Sequence, residues 1–447
     1  IMDHLTFCIN VGTEMAHKIL IDTVNKLIAT LGVDLNQVER VSICGNPIQL
    51  SLFQGIPVDD LAFAGENAHK ARGIKEQKRD AGSFSAVDVG LNVKDGCELL
   101  VPPAIRHEIG ADALAMMYKS GFLDQKENCL VTDYGTNAEM ALVRDGNVYT
   151  GSAAAGPALE GQEIERGMLA APGALSEVEI TDRGWRCYVL DDTIAAVEGD
   201  LIDPVTGEVI EEGPMHGQAV GITGTGVIAA LCNGLKQGII VPPKIQTEDG
   251  LLHLQDGITI SSHDVEEAGK AIGALRAGFL TLLDDSGLWV SDVKKAYMSG
   301  ASGLYVDARK ALQIGMVTPG ATDIVQFGNT SIGLARKLIF GEVTLESLRE
   351  FAKKLRATHC MFATAPVFKD LYSIEYSIWC GGMPYSEYNN MLDLYNLPHL
   401  PDMPDAKDVK VTRLAVRDLP DTEKCKVHII KSGTVLTGVL DLSLIHI

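Results

Sequence analysis

The run Asp133-Tyr134-Gly135-Thr136-Asn137-Ala138-Glu139 places two carboxylates, a hydroxyl, an amide and a glycine within seven residues. Such a set can hold phosphate and a divalent cation. Gly135 lets backbone N–H groups come close to an anion, and Thr136 and Asn137 add side-chain donors. Asp133, at a strand end, can hold Mg²⁺ directly or through water. Apolar residues lead in through Cys129-Leu130-Val131 and out through Met140–Val143, and Asp145-Gly146 then turns into Asn147–Thr150. That spacing predicts strands joined as hairpins. A Walker-type loop would instead need Gly-Lys-Ser/Thr opening a helix. An ordinary turn rich in Asp, Gly and Asn is the competing reading.

Two further glycine loops stand at predicted strand ends. Gly221-Ile222-Thr223-Gly224-Thr225-Gly226 opens a helix over 227–235. Gly224 and Gly226 there can accept an anion through free N–H groups, or can allow close helix–sheet packing. Ser299-Gly300-Ala301-Ser302-Gly303 follows the strand 296–298. Glycine loops at strand ends are where α/β proteins bind ligands. Taken together, the three loops predict a nucleotide cleft between two lobes.

The elements that must position these loops are legible in outline. Apolar spacing predicts a helix over 12–31 ended by Gly32, a strand over 38–44, and a short helix over 48–53 that Pro47 starts and Gly55 stops. Ser261 caps a helix with an apolar stripe of Val265, Ala268, Ile272, Leu275, Phe279 and Leu282. Residues 65–95 lack a clear period and are expected to be irregular. The small-residue run 151–161 suits a backbone lying close to something flat or charged. Beyond about 355, Pro, Trp, Tyr and Met become more frequent, and 397–408 reads as a linker.

At 447 residues the chain should hold two or three domains, and 46% apolar content supplies a sizeable core. A net charge of −21 argues against nucleic acid or an anionic membrane as partner. No apolar run reaches ~18 residues. Nine cysteines lie scattered without a C-x-x-C, which predicts reduced thiols and a cytoplasmic setting, with no self-contained iron–sulfur site. The chain begins at Ile1, and its last residues resemble translated adapter sequence, so a fragment with a non-native tail over 441–447 is expected.

Residues 38–340 resemble the ATPase domain of reductive activators of corrinoid proteins, within the acetate kinase–sugar kinase–Hsp70–actin superfamily. The matching stretches are Cys44-Gly45-Asn46, Gly110-Ala111-Asp112, Asp133–Glu139, Ser152–Gly161, Gly167–Ala174, Met298–Gly303 and Gly315. The resemblance implies an α/β, two-lobed actin-like ATPase with ribonuclease H-like lobes and an appended C-terminal region. It implies a first lobe over 1–127 that lacks its first phosphate loop, since Ile9–Thr13 imitates that loop poorly. The second lobe would cover 128–340 and the appended region 341–440. The implied reaction is ATP-dependent reduction of Co(II) to Co(I) on the corrinoid partner of a methyltransferase, in methylamine and methanogenic metabolism.

ATP and Mg²⁺ are the implied cofactors, with an iron–sulfur cluster expected only in a segment outside this chain, so the piece alone would be inactive. In that reading Gly135, Thr136 and Asn137 hold phosphates and Asp133 places Mg²⁺. Gly300, Ser302 and Gly303 line the adenosine side, and Asp112 or Glu139 orients water. A homodimer is compatible with the pattern. The alternative is a small-molecule kinase of the same superfamily.

Overall fold

The computed structural model describes residues 2–63, 66–104, 109–135, 137–153, 163–356, 358–414, 431–432 and 435–436. Thr136, residues 154–161 of the small-residue run, and the tail beyond 436 lie outside the described residues. Two compact units are present: Ile1–Leu123 with Asn329–His359 and Arg417–Ile447, and Asp124–Gly328 with Cys360–Val416. The region 341–440, expected as one appendage, is therefore divided between the two units.

The first unit opens with α1 (Met2–Val11) and α2 (Thr13–Thr30), separated by Gly12 at φ 88°. Ile9–Val11 is thus helical, and no strand leads into Gly12 as a phosphate loop would require. There follow β1 (Arg40–Ser42), α3 (Pro47–Gln54), α4 (Asp59–Ala62), α5 (Glu66–Arg72), β2 (Gly82–Ser85), β3 (Glu98–Val101) and α6 (Ala111–Lys119). The strand order is β1-β3-β2, with β1 parallel and β2 antiparallel to β3. Residues 65–95, expected to be irregular, contain both α5 and β2. β2 reads Gly-Ser-Phe-Ser, too short and polar to show alternation, and is fixed by its pairing with β3.

Local signals explain the start and stop of α3. The Asn46 side chain accepts from Gln49 N, Pro47 occupies the first turn, and Gly55 closes the helix at φ 69°. α11 (Ser331–Ile339) packs on α6 and β1, and α12 (Leu345–Arg356) follows it.

The second unit carries a six-stranded sheet and a five-stranded sheet. The first has the order β18-β17-β16-β4-β5-β6. Its strands are β4 (Cys129–Tyr134), β5 (Ala138–Arg144), β6 (Asn147–Ala153), β16 (Lys295–Ser299), β17 (Asp323–Gln326) and β18 (Lys410–Arg413). β4, β5 and β6 form the expected hairpins, and Asp145 and Gly146 both take positive φ at the second turn. β16, β17 and β18 run parallel to β4. The stretch just after the expected linker therefore supplies an edge strand of this sheet.

The second sheet, order β10-β9-β8-β7-β11, contains β7 (Ala174–Ile180), β8 (Trp185–Leu190), β9 (Ala196–Ile202), β10 (Val209–Glu211) and β11 (Gly221–Ile222). Two small ribbons follow: β12 (Ile240–Val241) with β13 (Lys244–Ile245), and β14 (Leu252–His253) with β15 (Thr259–Ile260).

The helices of this unit are α7 (Gly224–Lys236), α8 (Ser262–Ser286), α9 (Gly300–Tyr305), α10 (Ala308–Gln313), α13 (Pro366–Trp379) and α14 (Tyr388–Leu394). α8 begins with a capping box, in which Ser261 and Asp264 each take the other's backbone N–H, and ends at Gly287 with φ 69°. Its predicted apolar stripe is buried throughout. α13 lies against α8 where the stripe is interrupted by glycine. A Cβ at Gly269 would stand 2.5 Å from Trp379 Cβ, and one at Gly273 would stand 2.7 Å from Glu375 Cβ. Two glycines four apart on one face let the helices approach closely.

Candidate functional site

β4 alternates, so Thr132 and Tyr134 share one face and Asp133 points from the other. Tyr134 is buried in the core, and its hydroxyl donates to Met316 O at 2.9 Å. On the Asp133 face, pairing aligns one polar row across four strands: Ser299 with Asp133, Asp133 with Glu139, and Glu139 with Ser152. Directly opposed residues share a face, so these four side chains stand side by side at the end of the sheet. Ser299 Oγ donates to Asp133 Oδ2 at 3.2 Å.

Gly300 follows at φ 84°, a backbone region unfavourable for side chains, and a Cβ there would come within 2.5 Å of Asp133 Oδ1. The space beside the carboxylate exists because this residue is glycine. Gly135 N donates to Asn137 O at 3.2 Å, closing the tip of the hairpin. Gly303 brings α9 against the ring of Tyr134, where a Cβ would be 3.0 Å from Cδ2, and Ser302 is half-buried on the same short helix.

Asp133 and Glu139, directly opposed, bring two carboxyl groups together at the end of the sheet. Carboxylate and hydroxyl oxygens are the ligand types Mg²⁺ prefers. The residues present therefore fit a hard divalent cation at Asp133, and the opening at Gly300 leaves room beside it.

The remaining candidates fall elsewhere. At the start of α7, Thr223 Oγ1 accepts from Gly226 N at 3.2 Å, and Thr225 Oγ1 donates to Ser176 O at 2.9 Å. A Cβ at Gly226 would stand 2.5 Å from Leu175 O, so this glycine permits close approach of α7 to β7. Gly224 is buried at the same helix end, and α7 packs beside α9.

Asp112 belongs to the first unit, and there two of the resembling motifs meet. Ala111 N and Asp112 N both donate to Gly45 O, at 3.1 and 3.3 Å, and Cys44 Sγ donates to Ala111 O at 3.3 Å. Burial pushes the Asp112 carboxyl up to about 6, against the pull of local backbone N–H groups. Burial, then the neighbouring Asp112 charge, pushes the Cys44 thiol far above its usual range.

Sequence reasoning did not single out Ser299 or Ser152 as site residues; Ser299 was visible only as the last residue before a glycine loop. It also missed Asp200, His216 and Asp256, whose ligand-type atoms lie within 4.8 Å of one another. Asp200 Oδ1 accepts from Gly213 N, and His216 Nδ1 lies 2.8 Å from Asp200 Oδ2. Asp256 accepts from Gly217 N and Ala219 N. These bonds anchor the 213–219 loop and account for the group without an ion. Among the described residues, the eight cysteines are free thiols and no cluster of three forms, so those residues do not fit an iron–sulfur cluster. No described helix is long and apolar enough to cross a membrane.

Comparison with known proteins agrees with this architecture. Residues 127–389 match the family model described as the C-terminal domain of RACo, the ASKHA domain, and residues 8–125 match the RACo middle region. A Methanosarcina barkeri protein, "[Co(II) methylated amine-specific corrinoid protein] reductase", is 51% identical over 398 residues, covering 88% of this chain and 73% of that protein. The "Corrinoid activation enzyme RamQ" of Eubacterium limosum is 23% identical, over 81% of this chain and 61% of that protein. Among solved structures, a "Reductive activator for corrinoid,iron-sulfur protein" has the same fold at a TM-score of 0.63 and 22% identity, covering 82% of this chain and 57% of that one. With an actin-like ASKHA domain of the ATP-binding class preceded by a RACo middle region, the chain belongs to the family of reductive activators of corrinoid proteins.

Proposed function

We propose that this chain is the ATP-binding part of an activator that returns an inactive Co(II) corrinoid, carried by a methylated-amine-specific corrinoid protein, to Co(I). The 51% identity to the Methanosarcina barkeri reductase carries the choice of substrate class. The row Ser299–Asp133–Glu139, opened by Gly300, carries the nucleotide reading.

Bound Mg-ATP supplies the binding free energy that favours one conformational state of the activator over another. The chain's own residues prepare for it. Gly135 and Asn137 at the hairpin, with Thr136 between them in sequence, are the residues that would hold phosphate. Asp133 holds Mg²⁺, and the Ser299 hydroxyl fixes the orientation of its carboxylate. Glu139, directly across from Asp133, is the carboxylate that would orient water toward a bound phosphate. Gly300, Ser302 and Gly303 line the adenosine side, while Gly226 acts only indirectly, by seating the start of α7, which Gly224 opens, on β7. Asp112 stands in the other unit with only its raised pKa to recommend it, so no step is routed through it. The electron comes from a donor that the described cysteines do not hold. A reducing, cytoplasmic setting goes with this reading.

The test is anaerobic incubation of the full-length protein with the Co(II) corrinoid protein, a low-potential reductant and Mg-ATP. Loss of the Co(II) spectrum should require ATP and should vanish in Asp133→Asn. Reduction that proceeds equally in the variant would remove Asp133 from the site. ATP consumed against a small metabolite, with cobalt unchanged, would point to a kinase.

A further inference from the structure

Arg276 is a charged residue in the middle of the apolar stripe of α8, only 4% exposed, and the nucleotide reading gives it no task. A buried ion pair is weak evidence for stability, because desolvation offsets most of its attraction. Its surroundings show what it holds. Nη2 donates to Ile314 O at 2.8 Å, and a Cβ at the next residue, Gly315 (φ 90°), would overlap the guanidinium. The residue after that is Met316, whose carbonyl receives the Tyr134 hydroxyl. Tyr134 is the neighbour of Asp133 on β4.

On its other side Arg276 meets Glu375 of α13, Nη1 to Oε1 3.4 Å, and lies over the rings of Tyr385 and Tyr388. Glu375 Oε1 in turn accepts from the Tyr388 hydroxyl at 2.6 Å.

We infer that Arg276 is a positioning residue for the phosphate hairpin: it locks the 314–316 turn, the turn locks Tyr134, and Tyr134 sets the end of β4 that carries Asp133. Glu375 and Tyr388 hold Arg276, so the segment Cys360–Val416 braces the nucleotide site rather than merely covering the core. The inference rests on the nucleotide reading for its consequence, but its mechanical part stands on the hydrogen bonds alone.

Two measurements on this chain test the two parts separately. Hydrogen exchange of the peptides spanning 129–135 and 311–318 reads the brace without nucleotide. Titration with Mg-ATP, at a temperature where each variant is folded, reads the consequence. Arg276→Met and Tyr134→Phe should each speed exchange at 129–135 and weaken Mg-ATP binding about tenfold. Arg276→Lys should restore part of both. Glu375→Gln should follow Arg276→Met in direction. Ile272→Ala, one turn away on α8 and outside the relay, should lower the melting temperature while leaving Mg-ATP affinity unchanged. Arg276→Met with unaltered exchange at 129–135 overturns the brace. Altered exchange with unaltered affinity confines Arg276 to a structural role and overturns the positioning claim. Wild type that fails to bind Mg-ATP overturns the proposed function instead, and the exchange result still decides the brace.

Discussion

Gly300 and Gly226 occupy similar places in the chain, each where a strand end gives way to a helix, and the fold uses them in opposite ways. At Gly226 the space a side chain would fill is already taken by the Leu175 carbonyl, so the missing Cβ brings helix and sheet together. At Gly300 the missing Cβ leaves room beside a half-buried carboxylate, since a side chain there would press on Asp133 Oδ1. A glycine-rich pattern thus identifies close approach of backbone to something. Only the neighbouring atoms decide whether that something is the protein itself or a ligand.

The comparison can be broken by substitution. Asp133→Asn removes the group that Gly300 makes room for and should weaken Mg-ATP binding by about 10³-fold, the several kcal/mol expected when a cation loses its carboxylate ligand. Binding unchanged by that substitution would put the nucleotide elsewhere. Gly226→Ala should destabilise the second unit by about 3 kcal/mol, since a methyl would press on backbone rather than on a flexible side chain. Its folded fraction should bind Mg-ATP normally, and denaturant titration with ligand titration separates the two effects. Gly300→Ala should do the reverse, weakening Mg-ATP binding about 30-fold with a loss of stability near 1–2 kcal/mol from its positive φ. If Gly300→Ala left Mg-ATP binding intact and Gly226→Ala impaired it, the two roles would have to be exchanged.

What was legible in the sequence was what is settled within a few residues. Asp145-Gly146 announced its turn, Pro47 and Gly55 announced the ends of α3, and Ser261 announced the start of α8. The hairpin carrying Asp133 was readable because its two strands and its tip are contiguous. Unreadable were the partners that topology brings from afar. Ser299 reaches Asp133 across 166 positions, and Met316 reaches Tyr134 across 182. Lys410–Arg413 becomes a sheet edge only because β17 offers it a parallel partner, and four polar or charged-flanked residues carry no period of their own. Gly269 and Gly273 gain their role only from α13, which no local pattern on α8 announces.

The two carboxylates Asp133 and Asp112 give a second contrast, and the smallest effect. Asp133 faces a hydroxyl and a second carboxylate, whereas Asp112 is held in a desolvated corner between the Gly45 and Gly110 backbones. Burial raises Asp112 from 3.8 to about 6, so between those values the folded chain holds a proton that the unfolded chain has released. Stability must then fall as pH rises through that window, and the full penalty is present above it. A shift of this size corresponds to at most about 3 kcal/mol, and partial exposure reduces that to about 1–2 kcal/mol. Asp112→Asn keeps an acceptor for the Ala113 N–H and removes the charge, so it should stabilise the protein above pH 6 and match wild type near pH 4. A difference in unfolding free energy that stays flat from pH 4 to pH 8 would show that Asp112 is solvated in the folded protein and would remove its claim to an unusual pKa.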